Sequence, residues 1–291
     1  MVQGIAKKTC DVLGMLNRFH SAVIDVRDFD AAVAHYGVLL GRKPSWQGRN
    51  PGSGSRSAVF RLANMALEIC DPGSPGDERQ DGLRAVLLEA ESSDDLEARF
   101  EARGVATLES TRELAEQANG RETLEWTRLP IDPASSRAIG IEVVTGMTGQ
   151  PLAEAEVDVG AKAAIRDLDH VVVFSGDVEA TRTFYKDGLG LRLALDKTFE
   201  ERQVRLLFFR LGGVTIEIGS RLGTDPSPDA ADRFGGLAWE VEDVDVIRER
   251  LEGEGFDVSG VRKGNKAGTR VCTVRNPVYG VPTLLIEPVS R

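Results

Sequence analysis

Two histidines and two glutamates stand at matching places in the two halves of this chain, His20 with Glu68 and His170 with Glu217. Imidazole together with carboxylate is a fair first shell for Fe, Mn, Ni or Zn. The matching reflects an internal duplication. RFHSAVIDVRDFDAAVAHYGVLLGR, from Arg18 to Arg42, returns as LDHVVVFSGDVEATRTFYKDGLGLR, from Leu168 to Arg192, with one residue of slippage. RLANMALEI, from Arg61 to Ile69, lies under RLGGVTIEI, from Arg210 to Ile218, and pairs Glu68 with Glu217. A period this long describes two similar domains rather than a solenoid of short repeats. His35, in AAVAHY, falls outside the pattern and reads as surface or structural.

The elements that must position these groups follow from periodicity. In the C-terminal half LDHVVVF is a β-branched strand, Asp177 to Lys186 a short helix, and LRLALDKTF, QVRLLFFRLG and VTIEIGS three further strands between turn formers. After TDPSPDAADRFGG the order restarts with LAWEVED, a helix with apolar Val246, Ile247, Leu251 and Phe256, and three more strand-like runs. RAVLLEAESSDDLEARFEARGV, from Arg84 to Val105, opens the second unit of the N-terminal half in the same way. The expected fold is therefore α+β, built from four βαβββ modules. Within VTIEIGS, strand alternation puts Thr215 and Glu217 on one face and Val214, Ile216 and Ile218 on the other. The apolar face can then cover the helix while the carboxylate turns away from it. GMTGQPLAEAEVDVGAKAAI, from Gly146 to Ile165, has little periodicity and reads as a linker. The domain boundaries expected are an N-terminal extension over 1–17, a first domain over 18–146, a linker over 147–165 and a second domain over 166–291.

Composition bounds the function. With 291 residues, 41% of them hydrophobic, the chain has enough material for two cored domains. A formal charge of −10 argues against a nucleic-acid partner, because phosphate binding needs clustered Lys and Arg. Cys10, Cys70 and Cys272 are widely spaced and form no CxxC, which fits a reducing cytoplasm. No apolar run is long enough to span a bilayer, so no membrane partner is expected. GRNPGSGSRS lacks both phosphate-binding patterns, and neither GxSxG nor HExxH occurs.

Tandem βαβββ modules, a first strand of the form LDHVVV, a helix ending FYKDGLGLR, a fourth strand ending IEIG and the EVEDVD step into the second helix resemble the vicinal oxygen chelate (VOC) superfamily. That group includes glyoxalase I, extradiol dioxygenases, methylmalonyl-CoA epimerase and the bleomycin and fosfomycin resistance proteins. The resemblance implies two glyoxalase-like domains with cup-shaped mixed β-sheets. It also implies a divalent metal at the floor of a cup, held by side chains from the first and fourth strands of each module. His20, Glu68, His170 and Glu217 match the first-module positions. The second modules depart from the pattern. Where relatives read HLAFEVED this chain has GLAWEVED, so Gly236, and Ala85 in the N-terminal copy, replace the ligand. Leu284 falls where the last glutamate belongs, with Glu287 further on, and Glu142 is the N-terminal candidate in an uncertain register. If the first modules of the two halves faced each other, all four residues would form one 2-His, 2-Glu site. If cups close within each half, each holds one His and Glu pair, joined by Glu142 in one case.

The bland readings stand beside these. A lone strand histidine is more often a hydrogen-bonded core residue than a ligand, and a strand-end glutamate is more often solvated or paired with arginine. Trp239 and Phe234 read as core, with an aromatic pocket beside Gly236 as the alternative. Glu89 and Glu240 share the phase of the lost ligand and either enter a cup as acid or base or sit at a solvated strand end. Two functions follow from the resemblance. One is an enzyme of lyase, isomerase or dioxygenase type acting on a small oxygenated organic molecule, with or without a divalent metal. The other is a metal-free binding or sequestration protein of the bleomycin resistance kind. Four modules in one chain form an internal pseudo-dimer, so a monomer, or a homodimer that does not build the site, is expected.

Overall fold

The structure is a computed structural model, described here over residues 15–71, 80–92, 94–118, 123–148, 152–223 and 231–288. Cys10, most of the expected N-terminal extension and most of the TDPSPDAADRFGG stretch lie outside the described residues.

The N-terminal half runs β1 (Arg18–Asp25), α1 (Phe29–Leu40), β2 (Trp46–Arg49), β3 (Arg56–Arg61) and β4 (Ala66–Asp71). It continues with β5 (Gly82–Glu89), α2 (Leu96–Glu101), β6 (Thr111–Gln117), β7 (Thr123–Pro130) and β8 (Ile141–Thr148). The C-terminal half repeats the order with β9 (Ile165–Phe174), α3 (Val178–Thr183), β10 (Arg192–Phe199), β11 (Val204–Leu211) and β12 (Val214–Arg221). Its second module is β13 (Arg233–Val241), α4 (Val244–Gly253), the two-residue β14 (Asp257–Val258) and β15 (Arg262–Lys263), then β16 (Arg270–Asn276) and β17 (Thr283–Glu287). These are the four βαβββ modules, with the last one carrying a broken second strand.

Helix starts are set by aspartates. Asp28, Asp177 and Asp243 each accept a backbone N–H from the first turn of α1, α3 and α4, satisfying donors that a helix cannot satisfy itself. The strands then alternate: Val214, Ile216 and Ile218 of β12 join the core beneath the helices while Glu217 turns to the other face. One core cluster contains residues of both halves, including Phe19, Tyr36, Leu39, Ile216, Trp239 and Leu285. The halves are tied further by Asn64, which donates to Leu168 O at 2.7 Å and accepts from Leu168 N at 3.2 Å. Arg250 donates to the Val38 and Leu39 carbonyls near the end of α1. The segment between the halves is not loose where described, since Ala155 N, Asp158 N and Glu156 O bond the backbone of Arg61, Gly41 and Lys43.

Modules pair within a half. β1 pairs antiparallel with β5 and β9 with β13, so each sheet joins the first and second modules of one half. The arrangement in which the two first modules face each other does not occur. The halves differ in closure. β2 pairs with β6 through Gly48↔Gln117 and Arg49↔Glu116, closing the N-terminal sheet into an eight-stranded barrel. The seam needs glycine, because a Cβ at Gly48 would lie 2.0 Å from the Glu116 carbonyl oxygen and 2.5 Å from the Trp46 ring. In the C-terminal half the seven-residue β6 is replaced by the short β14 and β15, and the sheet, whose edge strands are β10 and β14, stays open.

Candidate functional site

Inside the closed barrel lies a cavity of about 530 Å3, a size typical of small-molecule sites. Its apolar lining comes from Trp46, Val59, Ala115 and Leu124, against which Trp126 packs, and from Leu87 and Val144. Its polar lining is a chain of charges. Arg84 donates to Glu142 Oε1 at 2.7 Å and to Asp25 Oδ1 at 3.1 Å. Arg128 donates to Glu142 Oε2 at 3.1 Å, and its second Nη stands 3.7 Å from Glu68 Oε2. Only 16% of the Arg128 side chain and 12% each of Glu68 and Glu142 is exposed, so each charge depends on its partners for the solvation it has lost. Burial pulls the Arg84 pKa down, but Glu142 and Asp25 more than offset this and the net shift is upward.

A hydrogen-bonded relay meets this chain at Glu68. Ser21 Oγ donates to Glu68 Oε1 at 2.8 Å and lies 3.1 Å from His20 Nδ1. The hydroxyl has one proton and spends it on Glu68, so His20 must donate from Nδ1. Burial, against the opposing charge of Glu68, lowers the His20 pKa and keeps the ring neutral at pH 7. Its Nε2 faces Met147 Sδ at 3.1 Å.

Strand register revises the pairing of the two histidines. Ser21 lies opposite Ala66 on β4 and Leu87 on β5, whereas His170 lies opposite Thr215 on β12 and Ala238 on β13. A bulge absorbs His20 in one half and Asp169 in the other. Ser21 is therefore the counterpart of His170, and His20 that of Asp169. The same comparison settles Glu142, which pairs with Leu87 of β5 as Leu284 pairs with Ala238 of β13. Glu287 instead accepts from Val244 N at the start of α4 and from Arg270.

In the open C-terminal sheet, Asp169 Oδ1 accepts from His170 Nδ1 at 2.7 Å, leaving Nε2 3.8 Å from Glu217 Oε2. The bond to His170 holds the Asp169 carboxyl below its ordinary range, while burial raises Glu217. A carboxylate orienting the remote nitrogen of a histidine is the usual support for a metal-ligating imidazole. The other two positions cannot contribute. Leu284 has no donor, and Gly236, at φ +128°, would place a Cβ 2.1 Å from the Pro282 carbonyl oxygen. In the N-terminal half Ser21 and Ala85 stand at two positions, and the carboxylates at the others are engaged by arginine. Among the described residues no group of three or more His, Cys, Asp or Glu side chains converges to hold a metal ion. Neither half fits a four-ligand centre, and the four residues singled out in the sequence are divided between two sheets.

The remaining candidates also have defined places. Glu89 lines the barrel cavity and binds Arg18; Glu240 is paired with Arg166. Trp239 is fully buried in the core. His35 lies 2.5 Å from the Tyr279 hydroxyl, at the contact between halves. Sequence reasoning passed over Arg128, Arg84, Trp46, Trp126 and Ser21. The signal for two of them was present in TLEWTRLP, where alternation puts Leu124, Trp126 and Arg128 on one face, an arginine on an otherwise apolar row.

Residues 169–273 match the family model described as Glyoxalase/Bleomycin resistance protein/Dioxygenase superfamily. The matched stretch runs from β9 into β16, within the C-terminal half. A probable lactoylglutathione lyase of Synechocystis sp. is 28% identical over 128 residues, covering 43% of this chain and 97% of that protein. Solved structures extend the likeness of fold to both halves. A mutant 4-hydroxymandelate synthase from Streptomyces coelicolor superposes with a TM-score of 0.66 at 16% identity, over 95% of this chain and 94% of that one. The Mn(II)-bound glyoxalase from Novosphingobium aromaticivorans does so with a TM-score of 0.63 at 17% identity, over 96% and 84%. The two-domain, glyoxalase-like fold of these structures is thus the fold of this chain. No helix among the described residues is long and apolar enough to cross a membrane.

Proposed function

We propose that the protein is a superfamily enzyme that moves a proton on a small oxygenated organic molecule held inside the N-terminal barrel. The observation that carries this reading is the barrel cavity, with an aromatic and aliphatic lining and a carboxylate, Glu68, among its polar groups. Two cavity-lining residues, Trp46 and Arg128, each keep a buried N–H, Nε1 and Nε, without a hydrogen-bond partner among the described residues. A buried N–H without a partner is costly, so a ligand whose acceptor oxygen reaches either one through a small side-chain shift gains more than one that offers carbon. Arg61 adds a cation bonded to the backbone carbonyls of Leu62 and Met65. Glu68, whose Oε1 is held by the Ser21 hydroxyl, is the base in this scheme. The Arg128 guanidinium, which lines the cavity, stabilises charge that develops on the ligand oxygen.

For a divalent ion, the better pair is His170 with Glu217 in the C-terminal half, where Asp169 orients the imidazole and water would supply the remaining ligands. No step of the proposed reaction passes through that pair.

The test is a panel of hydroxy and keto acids and ketones incubated with the protein in D2O, with binding read by tryptophan fluorescence and C–H exchange by NMR. Exchange by the wild type should fall by about 10²–10⁴ in Glu68→Gln with binding retained, the range expected for loss of a general base. Leu87→Trp, which fills the cavity, should abolish both. Binding without exchange would instead favour sequestration, the second reading of the sequence, and binding unaffected by Leu87→Trp would place the ligand elsewhere.

A further inference from the structure

We infer that the guanidinium of Arg128 occupies the place and supplies the charge of a divalent cation in the N-terminal barrel, making that site independent of metal. Glu68 and Glu142 lie on β4 and β8, the fourth strands of the two modules that form the barrel. Both carboxylates meet the same guanidinium, Glu142 at 3.1 Å and Glu68 at 3.7 Å. The cation reaches them from β7 along the barrel wall, with its Cζ over the Trp126 ring, 5.6 Å from the centroid, a contact that favours arginine there. Arg84 binds the other oxygen of Glu142, so that carboxylate is fully engaged by protein cations.

The rest of the donor set agrees. Ser21 stands where the C-terminal half has His170, and Ala85 offers no donor. The ion pairs are made by the two Arg128 Nη atoms, while its buried Nε has no partner among the described residues. A cation held by two carboxylates beside a cavity brings to them the fixed positive charge that a divalent metal would otherwise supply. A guanidinium supplies it permanently, since it does not deprotonate in this pH range and cannot be chelated away. The inference rests on the same cavity as the proposed function, but its test needs no organic ligand.

The experiment is a Mn(II) titration of the full-length, EDTA-treated chain, with free Mn(II) followed by EPR and folding checked by circular dichroism. His170→Ala serves as background to silence the other half. In that background no Mn(II) site should depend on Glu68. Adding Arg128→Ala should create one equivalent per chain, at least tenfold tighter than any site in the background protein, and adding Glu68→Gln should remove it again. Arg128→Lys, which keeps the charge, should not create the site. The inference fails if the His170→Ala chain with Arg128 intact binds one Mn(II) that Glu68→Gln abolishes. It fails equally if folded Arg128→Ala gains nothing. Should Arg128→Ala not fold, the Arg128-intact arm still decides. Loss of the inference would leave the cavity-filling result for Leu87→Trp standing, so the two readings can fail separately.

Discussion

Glu142→Gln removes one charge from the middle of the barrel network while keeping size and shape. In the native chain the carboxylate accepts from Arg84 at 2.7 Å and from Arg128 at 3.1 Å, and only 12% of its side chain is exposed. The glutamine can offer one oxygen; its NH2 must point at the other guanidinium. Breaking a buried ion pair by removing one partner costs about 3–5 kcal/mol. Here Arg84 keeps Asp25 and is 31% exposed, and Arg128 keeps the more distant Glu68, so about 2–4 kcal/mol is the reasoned loss. At about 2–4 °C per kcal/mol for a unit of this size, the unfolding midpoint should fall by about 5–15 °C. Calorimetry and urea titration followed by circular dichroism measure it. Glu142→Leu should be at least as damaging, although leucine occupies the equivalent position in the C-terminal half as Leu284. Combining it with Arg128→Met should recover part of the loss, because the orphaned cation is then gone. A Glu142→Gln chain within about 0.5 kcal/mol of wild type would refute the argument that these charges depend on each other for solvation.

Glu217 behaves in the opposite sense. Burial raises its pKa above the ordinary 4.5, so in metal-free protein the cost of ionising it sets in as the pH rises past 4.5 and is complete above the raised folded value. Glu217→Gln should therefore raise the melting temperature at pH 7–8. The gain should shrink as the pH falls through the raised value and vanish below 4.5; a gain constant from pH 4 to 8 would contradict this. Gly236→His, which restores the superfamily's missing ligand in the sequence, should not restore a site. Its Cβ meets the Pro282 carbonyl at 2.1 Å at a φ of +128°, and a misfit of that kind costs a few kcal/mol. A folded Gly236→His chain of native stability that binds Mn(II) more tightly would show that the strand can move aside.

The module order was legible because each module states itself several times over, in β-branched strands, in an aspartate before each long helix and in the apolar alternation of β12. The histidine register was legible too, but a gap obscured it. The constant offset that carries Asp28 onto Asp177 and Glu68 onto Glu217 carries Ser21, not His20, onto His170. Allowing a slip in order to stack two histidines hid the fact that His20 and Asp169 share a bulge. Barrel closure was not legible. It depends on β2 meeting β6 far along the chain, with Gly48 permitting the approach, and no local pattern reports a long-range seam. The Arg84, Glu142 and Arg128 network was hidden for the same reason, since its members are brought together by β5, β7 and β8.

Closure also explains why duplicated halves carry such different polar groups. In the open C-terminal sheet His170 and Glu217 sit close to water, which can complete whatever solvation a half-buried carboxylate lacks. In the closed barrel the equivalent Glu68 has only 12% of its side chain exposed, against 20% for Glu217, and Glu142 likewise has 12%. Each must find a cation or lose its charge. Arg128 on β7 and Arg84 on β5 answer that need from within the wall. Once they are present, the carboxylates at the fourth strands are no longer free to gather a metal ion, and Ser21 suffices where His170 stands in the other half. On this argument the loss of ligands and the gain of arginines are one change, set by whether the sheet closes.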